Sequence, residues 1–115
     1  MTEGPLREPT FLVLTALADA PRHGYAVIED VLRISDGRVR LRAGTLYAVL
    51  DRLRADGLIE VDHEEVVQSR LRRYYRLTAL GARRLVEETA RLRRNADAAS
   101  LRLRRAGLLP EGGVA

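Results

Sequence analysis

Residues 79–106 carry the longest unbroken helical pattern in the chain, and a small core cannot cover it. Thr78 stands where an N-cap hydroxyl belongs, no Pro intervenes, and Gly107 follows the last periodic residue, where a left-handed cap is favoured. At 1.5 Å per residue such a helix is roughly 40 Å long. A chain of 115 residues with 46% hydrophobic content reads as one domain with a modest core. The helix must therefore project. Leu85, Thr89, Leu92, Ala96, Ala99 and Leu103 alternate four and three apart, a heptad seam rich in small residues. This predicts a C-terminal dimerisation helix over 79–106, with Arg83–Glu87 and Arg84–Glu88 as internal pairs and a flexible tail over 107–115. A helix that packs back on its own domain is the simpler alternative.

The remaining body, residues 8–78, reads as three short helices and a hairpin, behind a polar, frayed lead-in over 1–7. Pro9 suits a first helical turn, and Phe11 to Leu17 is an almost continuous apolar run that ends near Asp19-Ala20-Pro21. Phe11, Leu12 and Leu14 are expected at a contact with a second chain, although burial in the chain's own core explains the run equally well. Val27, Ile28, Val31 and Leu32 give a second amphipathic helix, which Ser35-Asp36-Gly37 breaks. Residues 38–42 alternate Arg with Val or Leu, enough for a short strand or an extended arm with its Arg residues on one side.

That arm leads into residues 43–57. Leu46, Val49, Leu50 and Leu53 form a stripe to bury, Thr45, Ala48 and Arg52 lie on another side, and Gly57 caps the end. A short helix with a face of small and polar residues can enter a major groove about 12 Å wide. Two short helices joined by a brief connection make a helix-turn-helix. After Gly57, residues 58–67 and 73–78 are rich in β-branched and aromatic residues, and a hairpin there makes the unit a winged helix. Glu60, Asp62, Glu64 and Glu65 on the first strand can pair with Arg residues of the second. Arg70 and Arg72, nearest the tip, are expected to stay open to DNA, and Arg76 to be partly neutralised. The fold class is mainly α with a small β-hairpin: a winged helix-turn-helix plus a long C-terminal helix.

Formal net charge is +4 and the sequence pI about 10.3, which suits a polyanionic partner. All 20 basic residues are Arg, a pattern that genome-wide base composition also produces, so charge alone decides little. The absence of Cys excludes disulfides and thiolate metal sites. No run approaches the roughly 18 apolar residues of a membrane span, and no signal-peptide pattern opens the chain; a soluble, cytoplasmic protein with no membrane partner is expected. Catalysis has no candidate constellation. His23 and His63 lie on different elements, and His63-Glu64-Glu65 lacks the second His of a zinc-helix motif. His23 is read as a turn residue that can donate to a phosphate, His63 as an exposed strand residue. Gly112-Gly113 falls in the tail, so no phosphate loop is present, and no cofactor or metal is expected.

His23-Gly24-Tyr25, then Gly44-Thr45-Leu46-Tyr47 with Leu50, Leu53 and Asp56-Gly57-Leu58-Ile59, then Arg73-Tyr74-Tyr75-Arg76-Leu77-Thr78 with Gly81, together resemble PadR-type transcriptional regulators. The resemblance covers roughly Glu8 to Arg105, in the branch with a single C-terminal helix. It implies a homodimer, usually a repressor, on a roughly palindromic double-stranded operator near the target promoter. It also implies Gly44, Thr45 and Tyr47 at the start of the recognition helix, Tyr25 seating the preceding helix, Arg72 and Arg73 in the wing, and dimerisation through the first and last helices. Some relatives hold planar aromatic effectors between subunits, in certain cases with a Trp; this chain has none. The expected DNA-binding set is Arg40 and Arg42 at phosphates, Thr45, Ala48 and Arg52 at bases, and Arg70 and Arg72 in the wing, joined by Tyr25, Gly44, Tyr47 and Arg73 from the resemblance. The other reading is a winged-helix protein-interaction module that does not read DNA, which draws on the small-residue seam and the acidic strand.

Overall fold

Glu8 and Pro9 open the first helix, α1 (Glu8–Ala16), where Pro lacks only an N–H that has no intrahelical partner. In the computed structural model, which describes residues 4–110, it is followed by β1 (Arg22–His23), α2 (Gly24–Ile34), α3 (Ala43–Ala55), β2 (Ile59–Val67), β3 (Arg70–Leu77) and α4 (Ala79–Arg105). The apolar run of α1 is buried on nearly every side. Leu12, Val13 and Leu14 meet Val27 and Val31 of α2 and Leu46, Leu50 and Leu53 of α3, with Leu41, Leu58, Ile59 and Tyr75 closing the core. Each fully buried side chain of this size contributes about 1.5–3 kcal/mol. The dimer-contact expectation for α1 is corrected here. Leu14 has no exposed surface and Leu12 only 6%, so both belong to the chain's own core, and half-buried Phe11 alone keeps a surface for a partner.

Three antiparallel strands, in the order β1-β3-β2, form the sheet rather than a simple hairpin. The added strand is Arg22-His23, read from sequence as a connection, which pairs with Tyr75 and Tyr74. Residues 38–42 form no strand: Val39 and Leu41 turn inward and Arg38, Arg40 and Arg42 outward, as alternation requires, but no strand pairs with them, and the Arg38 and Val39 N–H groups donate to Ser35 instead. β2 and β3 pair from Ile59–Leu77 to Val67–Arg70, with one extra residue, Asp62, bulged between Val61 and His63. The second strand thus starts three residues before the aromatic-rich segment that suggested it.

Only Gln68 and Ser69 remain for the hairpin turn, with φ of 51° and 64°. Two positive-φ residues in a two-residue loop match the strand twist, but Asn-Gly fits this conformation with less strain. The double substitution Gln68→Asn/Ser69→Gly is expected to raise stability by about 1 kcal/mol, read as a higher urea midpoint with an unchanged m-value. An unchanged or lower midpoint would contradict the backbone conformation described for the tip.

α4 is clasped to the body at its first turns. Thr78 Oγ1 accepts from Gly81 N–H at 3.0 Å and donates to Gly57 O at 2.6 Å, while Thr78 N–H donates to Leu58 O at 3.1 Å. Farther along, the Glu88 carboxylate is buried, bound by Arg91 and by the Leu6 N–H at 3.2 Å. Arg91, then the Leu6 N–H and the Arg91 and Arg84 charges, hold Glu88 below the usual carboxylate range against the opposing effect of burial. Arg84 donates to Gly4 O at 3.0 Å. Residues 4–6 are therefore tied to α4 instead of frayed, and neither Arg83–Glu87 nor Arg84–Glu88 forms an ion pair among the described residues. Beyond Arg91 the helix projects, and the chain measures 58 × 31 × 22 Å. Residues 111–115 of the expected tail lie outside the described residues. Among those described, no helix is long and apolar enough to cross a membrane.

Candidate nucleic-acid interface

Burial of Leu46, Leu50 and Leu53 fixes the rotation of α3 and leaves Gly44, Thr45, Ala48 and Arg52 exposed on its outer side. Four of the five α3 positions expected at DNA therefore share one surface, and the fifth, Tyr47, lies toward the hairpin side. The first turn of α3 has no side-chain cap, since Arg42 makes none, whereas α2 is capped by His23 and α4 by Thr78. Its N–H groups and the positive end of the helix dipole face outward beside exposed Arg40 and Arg42. A Cβ at Gly44 would meet nothing within 4 Å, so the chain's own packing imposes no need for glycine there.

Gly24 is different. A Cβ there would stand 2.5 Å from the Tyr47 hydroxyl and 2.9 Å from its ring carbon Cζ, so the bare backbone at the start of α2 is what lets Tyr47 lie across it. Tyr47 remains 47% exposed and Tyr25 65% exposed. With Asp51, Arg70 and Arg72 these tyrosines line an open groove of about 650 Å³ between α3 and the hairpin. His23, on the same groove, accepts from Ala26 N–H through Nδ1 at 3.4 Å, which makes it a helix cap as well as a strand residue. Burial first, and Arg72 second, lower its pKa from the ordinary 6.5, which favours the neutral form this cap requires.

The hairpin sorts its arginines by partner. Arg76 meets Glu60 at 2.8 Å and Asp62 at 3.2 Å, and Arg73 meets Glu64 at 3.0 Å. Arg73, expected at DNA, is thus engaged in the ladder. Arg70 and Arg72 enter no ion pair among the described residues and stand nearest the tip. Exposed His63 stacks on Tyr74 with ring centroids 4.3 Å apart.

On the other flank of α3, sequence reasoning missed two residues. Arg7 and Thr10 line a second groove with Thr45, Ala48, Val49 and Arg52. No local pattern marks Arg7, because the tie that places its segment runs to Glu88, far away in sequence. Of the expected seam, Leu85 packs half-buried on the core, while Thr89, Leu92, Ala96, Ala99 and Leu103 are exposed along projecting α4.

Residues 13–87 match the family described as "Transcriptional regulator PadR-like family". The chain is 40% identical over 85 residues to a transcriptional regulator of Mycobacterium tuberculosis, covering 69% of this chain and 76% of that protein. A crystal structure of a PadR family regulator from Eggerthella lenta is similar with a TM-score of 0.65 and 32% identity, over 82% of this chain and 80% of that one. Bacillus subtilis PadR, solved in complex with operator DNA, shares the fold with a TM-score of 0.63 at 18% identity, over 70% of this chain and 47% of that one. The chain belongs to the PadR-like family of transcriptional regulators.

Proposed function

We propose that this regulator reads double-stranded DNA in a sequence-specific way, as a homodimer, and represses a promoter near its own coding region in the cytoplasm. The observation that carries the reading is the division of charge on the hairpin. Arg73 and Arg76 are paired with Glu64, Glu60 and Asp62, whereas Arg70 and Arg72, which line the groove beside α3 together with Arg73, enter no ion pair among the described residues. With α3 in a major groove, Thr45, Ala48 and Arg52 face base edges, and Arg40, Arg42, Arg70 and Arg72 approach phosphates. The operator complex of the Bacillus subtilis protein supports the same use of the fold. The exposed α4 seam and the surface of Phe11 are the proposed dimer contacts; two reading heads then meet half-sites about 34–36 Å apart on a roughly palindromic operator.

Fluorescence anisotropy with the duplex upstream of the coding region, repeated across a salt series, tests this. Log affinity is expected to fall with log salt at about −0.9 per phosphate contact. Light scattering should give a particle of twice the 12.9 kDa chain mass. A monomer that ignores duplex DNA at low salt would overturn the reading. The protein-interaction alternative drew on the small-residue seam, which serves a homodimer equally well, and on the acidic strand, where the pairing of Glu60, Asp62 and Glu64 with arginines removes most of the support.

A further inference from the structure

A helix seated in a major groove has a sugar-phosphate backbone along each of its flanks. On α3 the flank of Tyr47 and Asp51 opens toward Tyr25, Arg70 and Arg72 of the wing-side groove. The flank of Thr45 and Arg52 opens toward Arg7 and Thr10 instead. Arg7 is exposed and joins no ion pair among the described residues. Its acidic neighbour does not cancel it, because the Glu8 carboxylate is held by Arg38 at 2.9 Å.

Arg7 is also held in position from both sides. Downstream, its carbonyl accepts from Phe11 N–H at 2.9 Å, the first bond of α1. Upstream, the Leu6 N–H donates to Glu88 at 3.2 Å and Gly4 O accepts from Arg84 at 3.0 Å. Glu88, 7% exposed at its side chain, is itself fixed by Arg91. The only route by which this N-terminal segment is tied to α4 among the described hydrogen bonds is thus the Glu88–Arg84 stretch of that helix.

We propose that Arg7 is a DNA-phosphate contact on the flank of the recognition helix away from the wing, and that Glu88 is the positioning residue that holds it there. The inference rests on the DNA-reading function proposed above and adds a third element to a face so far made of α3 and the hairpin.

The test uses the full chain and the fluorescein-labelled upstream duplex across a salt series. Arg7→Ala is expected to weaken binding about five- to tenfold and to reduce the salt slope by about 0.9 per protomer, with the melting temperature unchanged. Arg7→Lys should keep the slope. Glu88→Gln should weaken binding in the same direction, and the double variant should bind no more weakly than Arg7→Ala, since Glu88 acts through Arg7. Arg72→Ala separates the two levels of the argument. Wild-type slope and affinity in Arg7→Ala, alongside a reduced slope in Arg72→Ala, would overturn the Arg7 contact and leave the DNA face standing. No effect from either would overturn both, and additive losses in the double variant would overturn the role of Glu88.

Discussion

Gly81→Ala is expected to destabilise the protein by on the order of 3 kcal/mol, although alanine is ordinarily the better helix former by up to about 1 kcal/mol. The reason is local geometry. A Cβ at residue 81 would lie 2.9 Å from the carbonyl carbon of Leu58 and far inside van der Waals contact distance of its oxygen, and both are backbone atoms that no rotamer change can move. The same carbonyl accepts from Thr78 N–H, so displacing it also disturbs the cap of α4. Gly44→Ala provides the matched comparison. Its Cβ would meet nothing, so on stability alone it should be neutral or mildly favourable. Urea unfolding of the two variants followed by circular dichroism checks the pair. A Gly81→Ala midpoint at or above wild type would mean that α4 does not approach the body as closely as described.

The triple variant Arg42→Ala/Arg70→Ala/Arg72→Ala should bind the upstream duplex on the order of 100- to 1,000-fold more weakly at moderate salt. Its log–log salt slope should be shallower by about 2.7 per protomer. Stability should change little, because none of the three forms an ion pair among the described residues. Arg73→Ala/Arg76→Ala is the informative counterpart. Those guanidinium groups sit on Glu64, Glu60 and Asp62, so removing them takes ladder pairs away from an exposed, solvent-screened sheet and should lower stability only slightly. Their loss should leave the salt slope near wild type. Equal losses of affinity in the two variants would show that carboxylate pairing does not decide which wing arginines meet DNA.

The parts of this fold that follow from repeating local patterns are readable in the chain itself. The stripe Leu46, Leu50, Leu53 is buried as its spacing demands, and Gly57 and Gly107 take φ of 75° and 78° just past their helices. The parts that depend on distant partners are not. Arg22-His23 becomes a strand only because Tyr74 and Tyr75 lie beside it, and two residues cannot show a period. An apolar run such as Phe11 to Leu17 announces burial without saying in which chain, and here Leu12 and Leu14 are covered from within. Gln68-Ser69 carries no usual turn signal, so the tip emerges only from the pairing of Val67 with Arg70. Arg7 lies beside Thr45 and Arg52 of α3 through hydrogen bonds made by Leu6 and Gly4 to residues of α4, a relation invisible to any local window.

Asp62 has a consequence for how the wing can change. It is the one unopposed residue of β2, and the partners of His63 through Val67 on β3 do not depend on its presence. Deleting it would straighten the strand there and reduce its local twist, yet the outer half of the hairpin would keep every cross-strand neighbour. The aim of the tip and the side chains it carries are therefore separable properties. A single-codon deletion could turn the same two arginines toward a duplex of different curvature without rewriting either of them.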